Sequence, residues 1–122
     1  LFLEEIRRYR ERQFSASGVE LLFPLWGEPT RTLAEEMTER GLRAWITVVD
    51  IKQAPREWAG RCYDAGFVAA IPDRVDPCGE RGEFHTFAFE GPMFGRAIRA
   101  QPGALHERNG FAYADLVSSA PC

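Results

Sequence analysis

The stretch from Val75 to Phe87 gathers two glycines (Gly79, Gly82), two glutamates (Glu80, Glu83), Cys78, His85 and Thr86 into one turn that runs into a strand. Glycine and carboxylate both work against burial, so a core does not call for this mixture. A turn shaped to meet a small ligand does. Asp76-Pro77 sets an extended lead-in with a rigid φ, and the glycines free the backbone to turn sharply. Backbone amides in such a turn can point inward at an anion or a polar ligand edge. Glu80 and Glu83, three residues apart, could then meet an amine, a ribose hydroxyl or a metal-bound phosphate. The same residues also describe a plain turn with solvated glutamates, and composition alone divides evenly between the two.

His85 lies on an aromatic strand face, where a hydrogen-bonded core histidine is the default. Cys78 and His85 could be imagined as a thiolate pair or as the ligands of a metal hydrolase. Their spacing matches no zinc pattern, and a structural zinc takes about four such ligands. No metal site is expected. Thr86 points to the face opposite His85, so one ligand meets both only if the strand end twists or the ligand bridges the edge. The chain has no Gly-x-Ser-x-Gly elbow, no Walker-type loop and no dinucleotide fingerprint.

The elements that must position this turn can be read from periodicity. Apolar residues at Phe2, Ile6 and Tyr9, flanked by Leu3 and Phe14, predict an amphipathic helix that ends at Ser15-Ala16-Ser17-Gly18. Val19–Phe23 reads as a short strand stopped by Pro24. A second helix opens near Pro29-Thr30, with Thr32 and Glu35 spaced as a capping box. Leu33, Ala34 and Met37 form its buried stripe, and Gly41-Leu42 suits a Schellman cap. Ala44–Val49 is an unbroken apolar run, expected to be a strand covered on both faces. Strand, helix and strand joined tightly predict a parallel βαβ crossover. Arg61–Ala70 reads as a short helix carrying Cys62, Ala65 and Ala69 inward. Beyond the turn, Phe84–Phe89 alternates as a strand and Gly91-Pro92 breaks it. Ala97–Ala100 and Leu105–Arg108 read as strands around a turn at Gln101-Pro102-Gly103. Asn109-Gly110 predicts a type I′ hairpin into Phe111–Val117. The expected class is α/β: residues 1–50 as the end of a Rossmann-like nucleotide domain with a βαβ unit, and 51–122 as a substrate-side region of antiparallel hairpins.

With 122 residues and a net charge of −3, the chain fits one globular domain. It carries no basic stripe interleaved with aromatics, which argues against nucleic acid. No apolar run reaches the ~20 residues that cross a bilayer. Cys62, Cys78 and Cys122 lack the spacing of a disulfide framework, so reduced thiols in a cytoplasm are the simplest reading. The sequence begins at Leu1, without an initiator Met and inside an apparent helix, which suggests the C-terminal piece of something longer.

Asp76-Pro77-Cys78-Gly79-Glu80-x-Gly82-Glu83-Phe84-His85-Thr86-Phe87, followed by Gly91-Pro92-Met93-Phe94, resembles the C-terminal signature of the diphthine–ammonia ligase-like ATP-binding family. These are PP-loop (N-type) ATP pyrophosphatases, and bacterial members are often labelled adenine nucleotide alpha hydrolases. The likeness extends to Leu1–Arg10, to Leu22–Trp26 and to Gly110–Leu116. Family ligases carry Glu-Gly-Gly-Glu-Tyr/Phe-Glu-Thr at the motif. Glu80, Gly82, Glu83, Phe84 and Thr86 match it, while Arg81 and His85 depart, and the histidine is similar to the bacterial branch.

The resemblance implies a parent enzyme that uses ATP and Mg to adenylate a small-molecule carboxylate acceptor, which ammonia then attacks with release of AMP. It implies that this chain forms the acceptor pocket, with Glu83 and Glu80 as catalytic groups. Cys78, Gly79, Gly82, His85 and Thr86 would bind substrate. The ATP loop, Ser-Gly-Gly-x-Asp-Ser, is absent, and Ser15-Ala16-Ser17-Gly18 does not replace it. The chain alone is therefore expected to be inactive, to bind no cofactor by itself, and to partner the N-terminal PP-loop region of its parent; oligomerisation is left open. A non-catalytic small-molecule or nucleotide-binding module of the same fold is the alternative.

Overall fold

The computed structural model describes residues 1–119. Helix α1 spans Glu4–Phe14 and α2 spans Thr30–Glu39. Strand β1 covers Arg43–Asp50, and a 3-10 turn follows at Arg56–Trp58. Strand β2 is Cys62–Tyr63, and α3 is Ala65–Ala70. Strands β3 (Phe84–Glu90), β4 (Ala100–Arg108) and β5 (Phe111–Ser118) complete the order. Cys122 lies outside the described residues.

The five strands form one open sheet, and every pairing in it is antiparallel. β1 is central. β3 runs along one of its edges, and β2 and β5 share the other, with β4 beyond β5. This arrangement keeps the mixed helix-and-strand class but removes the expected parallel crossover. Both edges of β1 are already paired, so no edge remains for a strand from Val19–Phe23. That segment carries no strand, and Leu22 within it is 75% exposed.

Two local signals held and two did not. At the end of α2 the Leu42 amide donates to the Met37 carbonyl (3.0 Å) and the Gly41 amide to that of Thr38 (3.0 Å), the two bonds of a Schellman cap. Gly41 takes a φ of 97° there. At the other end Pro29 stands at the N-cap without a side-chain cap bond, so Thr32 lies inside the helix and the capping box does not form. Asn109 (φ 52°) and Gly110 (φ 83°) make the hairpin between β4 and β5, with Arg108 paired to Phe111. Gln101-Pro102-Gly103 does not turn the chain: it sits within β4 at a shift in register.

The core packs against one face of the sheet. Ala44, Ile46 and Val49 of β1 are buried on it, beneath Ala34, Phe67 and Val68 of the helices. Ile46 and Val49 share that face because a shift in register between Ile46 and Val48 adds Thr47 to the strand. Trp58, Tyr63, Phe67 and Phe84 form an aromatic cluster, with Trp58 and Phe67 edge to face at 4.9 Å. Helix α3 starts later than its sequence suggests, because Asp64 caps it by accepting the Phe67 amide at 2.9 Å. Cys62 and Tyr63, released from the helix, pair with Trp45 and Ala44 instead. The inward residues of α3 are therefore Phe67 and Val68, while Ala65 and Ala69 are exposed.

Candidate functional site

The turn from Asp76 to Glu83 leaves the core at Val75 and re-enters it at Phe84, both buried. Its path is fixed by two carboxylates that the solvent barely reaches, Asp76 (6% exposed) and Glu83 (2%). Asp76 Oδ2 accepts the Glu80 amide at 2.9 Å, and Asp76 Oδ1 lies 3.5 Å from that of Cys78. Glu83 reaches back across the loop, where Oε1 accepts the Asp76 amide (3.3 Å) and Oε2 that of Arg81 (3.0 Å). The Gly79 amide donates to the Asp76 carbonyl (2.9 Å) and Gly82 to that of Gly79 (3.0 Å). Tyr63 ties the lead-in down by donating its hydroxyl to the Pro77 carbonyl at 2.7 Å.

The two glycines serve this backbone. Gly79 has a φ of 64°, and a Cβ there would meet the Phe84 carbonyl oxygen at 2.8 Å. Gly82 has a φ of 75° but faces open space. One position is closed by conformation and contact together, the other by conformation alone.

Cys78, Glu80 and Thr86 converge on a cleft of about 350 Å³, whose apolar walls include Leu33, Met37, Leu42 and Tyr63. Met37, expected in the buried stripe of α2, is 37% exposed because it lines this opening. Glu80 and Leu25 also border a second cleft of about 430 Å³, walled by α1 and the Phe23–Trp26 turn. The Glu80 carboxylate thus stands where the two clefts adjoin.

His85 is not at this site. Its register partner is Val48, which also pairs with Tyr113, and Tyr113 pairs with His106. The four side chains therefore form a row on the sheet face away from the core, and His85 is exposed there. Thr86 pairs with buried Ile46 and faces the cleft, as strand alternation requires. Cys78 and His85 accordingly lie on opposite sides of the sheet and cannot hold one ion. Among the described residues, no group of three or more His, Cys, Asp or Glu side chains is arranged to bind a metal.

Burial pushes the Cys78 thiol up to about 11, with the Asp76 and Glu80 carboxylates adding to the effect. It donates to the Thr30 carbonyl at 3.4 Å and is a neutral thiol near pH 7. Burial likewise raises the Tyr63 hydroxyl, with Cys78 and Asp76 contributing less.

Sequence reasoning treated Asp76 only as the residue before a proline, and it missed Tyr63 and Arg31 altogether. Arg31 donates to the Val68 (2.8 Å) and Ile71 (3.0 Å) carbonyls, joining α2 to the end of α3. The legible signal for Asp76 was its type: an Asp opening a glycine-containing turn accepts amides a few residues on.

A family model described as the diphthamide synthase C-terminal domain matches residues 29–115, a span that holds the whole turn, strands β1 to β4 and most of β5. The chain belongs to this family. The match agrees with the resemblance carried by the Asp76–Phe87 motif, and the chain is a diphthine–ammonia ligase-like C-terminal portion. Helix α1 and the Phe23–Trp26 turn, which wall the second cleft, precede the matched span. A search of curated proteins gave no match. Among the described residues of this diphthamide synthase C-terminal domain, no helix is long and apolar enough to cross a membrane.

Proposed function

We propose that this domain forms the acceptor-substrate side of an ATP-dependent, amide-forming enzyme, with Glu80 and Thr86 as the polar groups of the pocket and Cys78 as a neutral wall residue. The observation that carries the reading is the convergence of the family-motif residues Glu80 and Thr86 on one apolar-walled cleft. Covered by the rest of a parent enzyme, an apolar-walled cleft would limit water, which favours attack by ammonia over hydrolysis of an activated acyl group. In this reading Glu80 orients a donor or cationic group of the acceptor. The small-molecule carboxylate, the ammonia and the N-terminal PP-loop region of a parent chain are the partners this reading requires.

In this reading the Asp76–Glu83 turn does not cradle the phosphates of ATP. A phosphate cradle needs free backbone amides, and those from Cys78 to Gly82 are all turned onto acceptors of the same loop. In this proposal the nucleotide and its Mg belong to the PP-loop region, and the domain alone is inactive. The test is AMP formation by an ATP-binding parent enzyme supplied with ammonium. Glu80→Gln and Thr86→Val should each lower it about tenfold or more, with the fold intact. Wild-type turnover in both variants sinks the reading.

One observation favours the alternative of a non-catalytic binding module: the cysteine that lines the cleft is held as a neutral thiol and not as a reactive thiolate. Calorimetric titration of the isolated chain with ATP, AMP and adenosine separates the two. Tight binding of any of them supports the module and contradicts the acceptor-side reading.

A further inference from the structure

Glu83 and Glu80 stand three residues apart in a motif where either carboxylate could react, yet their surroundings differ completely. Glu83 is buried, does not line the cleft, and has each carboxylate oxygen on a backbone amide of its own turn. Its main-chain carbonyl accepts the Asp50 amide at 2.9 Å, which ties the loop to the end of β1. Asp76 holds the Glu80 amide itself. Glu80, by contrast, turns its carboxylate outward to the junction of the two clefts.

We propose that Glu83 is a positioning residue and not a reacting one: with Asp76 it takes up amides of the turn, so that the turn presents the Glu80 carboxylate to the cleft and offers the cleft no backbone donor for an anion. The function this serves rests on the acceptor-side reading of the cleft. The chemical consequence is specific. A turn with free amides attracts phosphate or carboxylate. On the side facing the cleft this turn has its amides satisfied and presents the Glu80 carboxylate, while Arg81 lines a different depression, so the ligand group it meets there is a hydrogen-bond donor or a cation.

The test uses the chain in solution. In wild type, through-hydrogen-bond couplings should link the Asp76 and Arg81 amide nitrogens to the Glu83 side-chain carboxyl carbon. Glu83→Gln should move those two amide protons upfield. It should also raise the alkylation rate of Cys78 by iodoacetamide about tenfold relative to Cys62, because the local opening is confined to the turn. Glu107→Gln, at the surface pair with Arg56, should leave that ratio unchanged. Inorganic phosphate should leave the amide signals of residues 78–82 in place. Absent couplings in wild type overturn the proposal, and they decide it even if Glu83→Gln does not fold. Phosphate-induced shifts at these amides, or an unchanged Cys78 to Cys62 ratio in a folded Glu83→Gln chain, overturn it as well. The acceptor-side reading fails separately, when AMP formation ignores Glu80→Gln and Thr86→Val while the couplings persist.

Discussion

Neutralising Glu83 should cost the fold far more than neutralising Glu80, although the two residues are chemically identical. Glu83→Gln keeps one acceptor oxygen and replaces the other with an NH₂ that faces a backbone N–H. The retained bond loses its charge assistance, about 1 kcal/mol, and a buried donor loses its acceptor, about 1–3 kcal/mol. The sum is about 2–4 kcal/mol, a large part of the ~5–15 kcal/mol that holds a domain together. With a urea m-value of about 1.5 kcal/mol/M, the unfolding midpoint falls by roughly 1.3–2.7 M. Glu80→Gln alters only a partly exposed carboxylate that holds no backbone amide, worth about 1 kcal/mol at most. Its midpoint should move by about 0.7 M or less. Parallel urea titrations followed by far-UV circular dichroism and tryptophan fluorescence measure both. Equal midpoint shifts for the two variants would refute the reasoning, because burial and amide contacts are all that separates these carboxylates.

Three further outcomes follow from the same geometry. Cys78, pushed up from 9.0 to about 11, should be alkylated at pH 8 about 100-fold more slowly than an unperturbed thiol, its rate climbing until the pH passes about 11. A plateau near pH 9 in the site-resolved pH–rate profile contradicts its burial. Gly79→Ala should lower the thermal midpoint more than Gly82→Ala, since only the former sets a Cβ against the Phe84 carbonyl; the second should cost about 1–2 kcal/mol for conformation alone. Tyr63→Phe should cost about 1–2 kcal/mol by leaving the Pro77 carbonyl without its donor, read by the same denaturant series.

What the sequence made legible was local. The Schellman cap at Gly41-Leu42 and the Asn109-Gly110 hairpin depend on a few neighbouring residues, and both formed. The opposite orientation of His85 and Thr86 followed from strand alternation, and the sheet keeps it. Strand partnership was not legible, because it depends on which edges remain free after distant pairings form. β1 was the expected partner of residues 19–23, yet β3 takes one of its edges and β2 and β5 the other. Cys62 and Ala65 were assigned inward on helical period, but a single cap bond at Asp64 moved the helix start and changed the inward set. Met37 shows a third kind of miss: an apolar stripe on a helix does not say whether it faces core or cleft.

The turn itself turned on a different question, namely who accepts its amides. Glycine frees a backbone to curl, but curling aims amides inward, away from any strand partner. Those amides need acceptors from a ligand, from water or from the loop. A motif with glycines alone would leave them for an anion, which is how phosphate loops work. Here Asp76 and Glu83 stand at the two ends of the turn, and each sends its carboxylate back over it. A carboxylate suits the task because its two oxygens can hold two amides at once, and charge-assisted bonds are the stronger kind. The cost is two buried negative charges, offset only while every contact is kept. That requirement explains why the same motif looks catalytic in sequence and structural in space. Its acids were recruited in two directions, Glu83 and Asp76 toward the backbone and Glu80 toward the cleft. Neither spacing nor residue type distinguishes Glu80 from Glu83, because they differ only in which side of the chain the amides face.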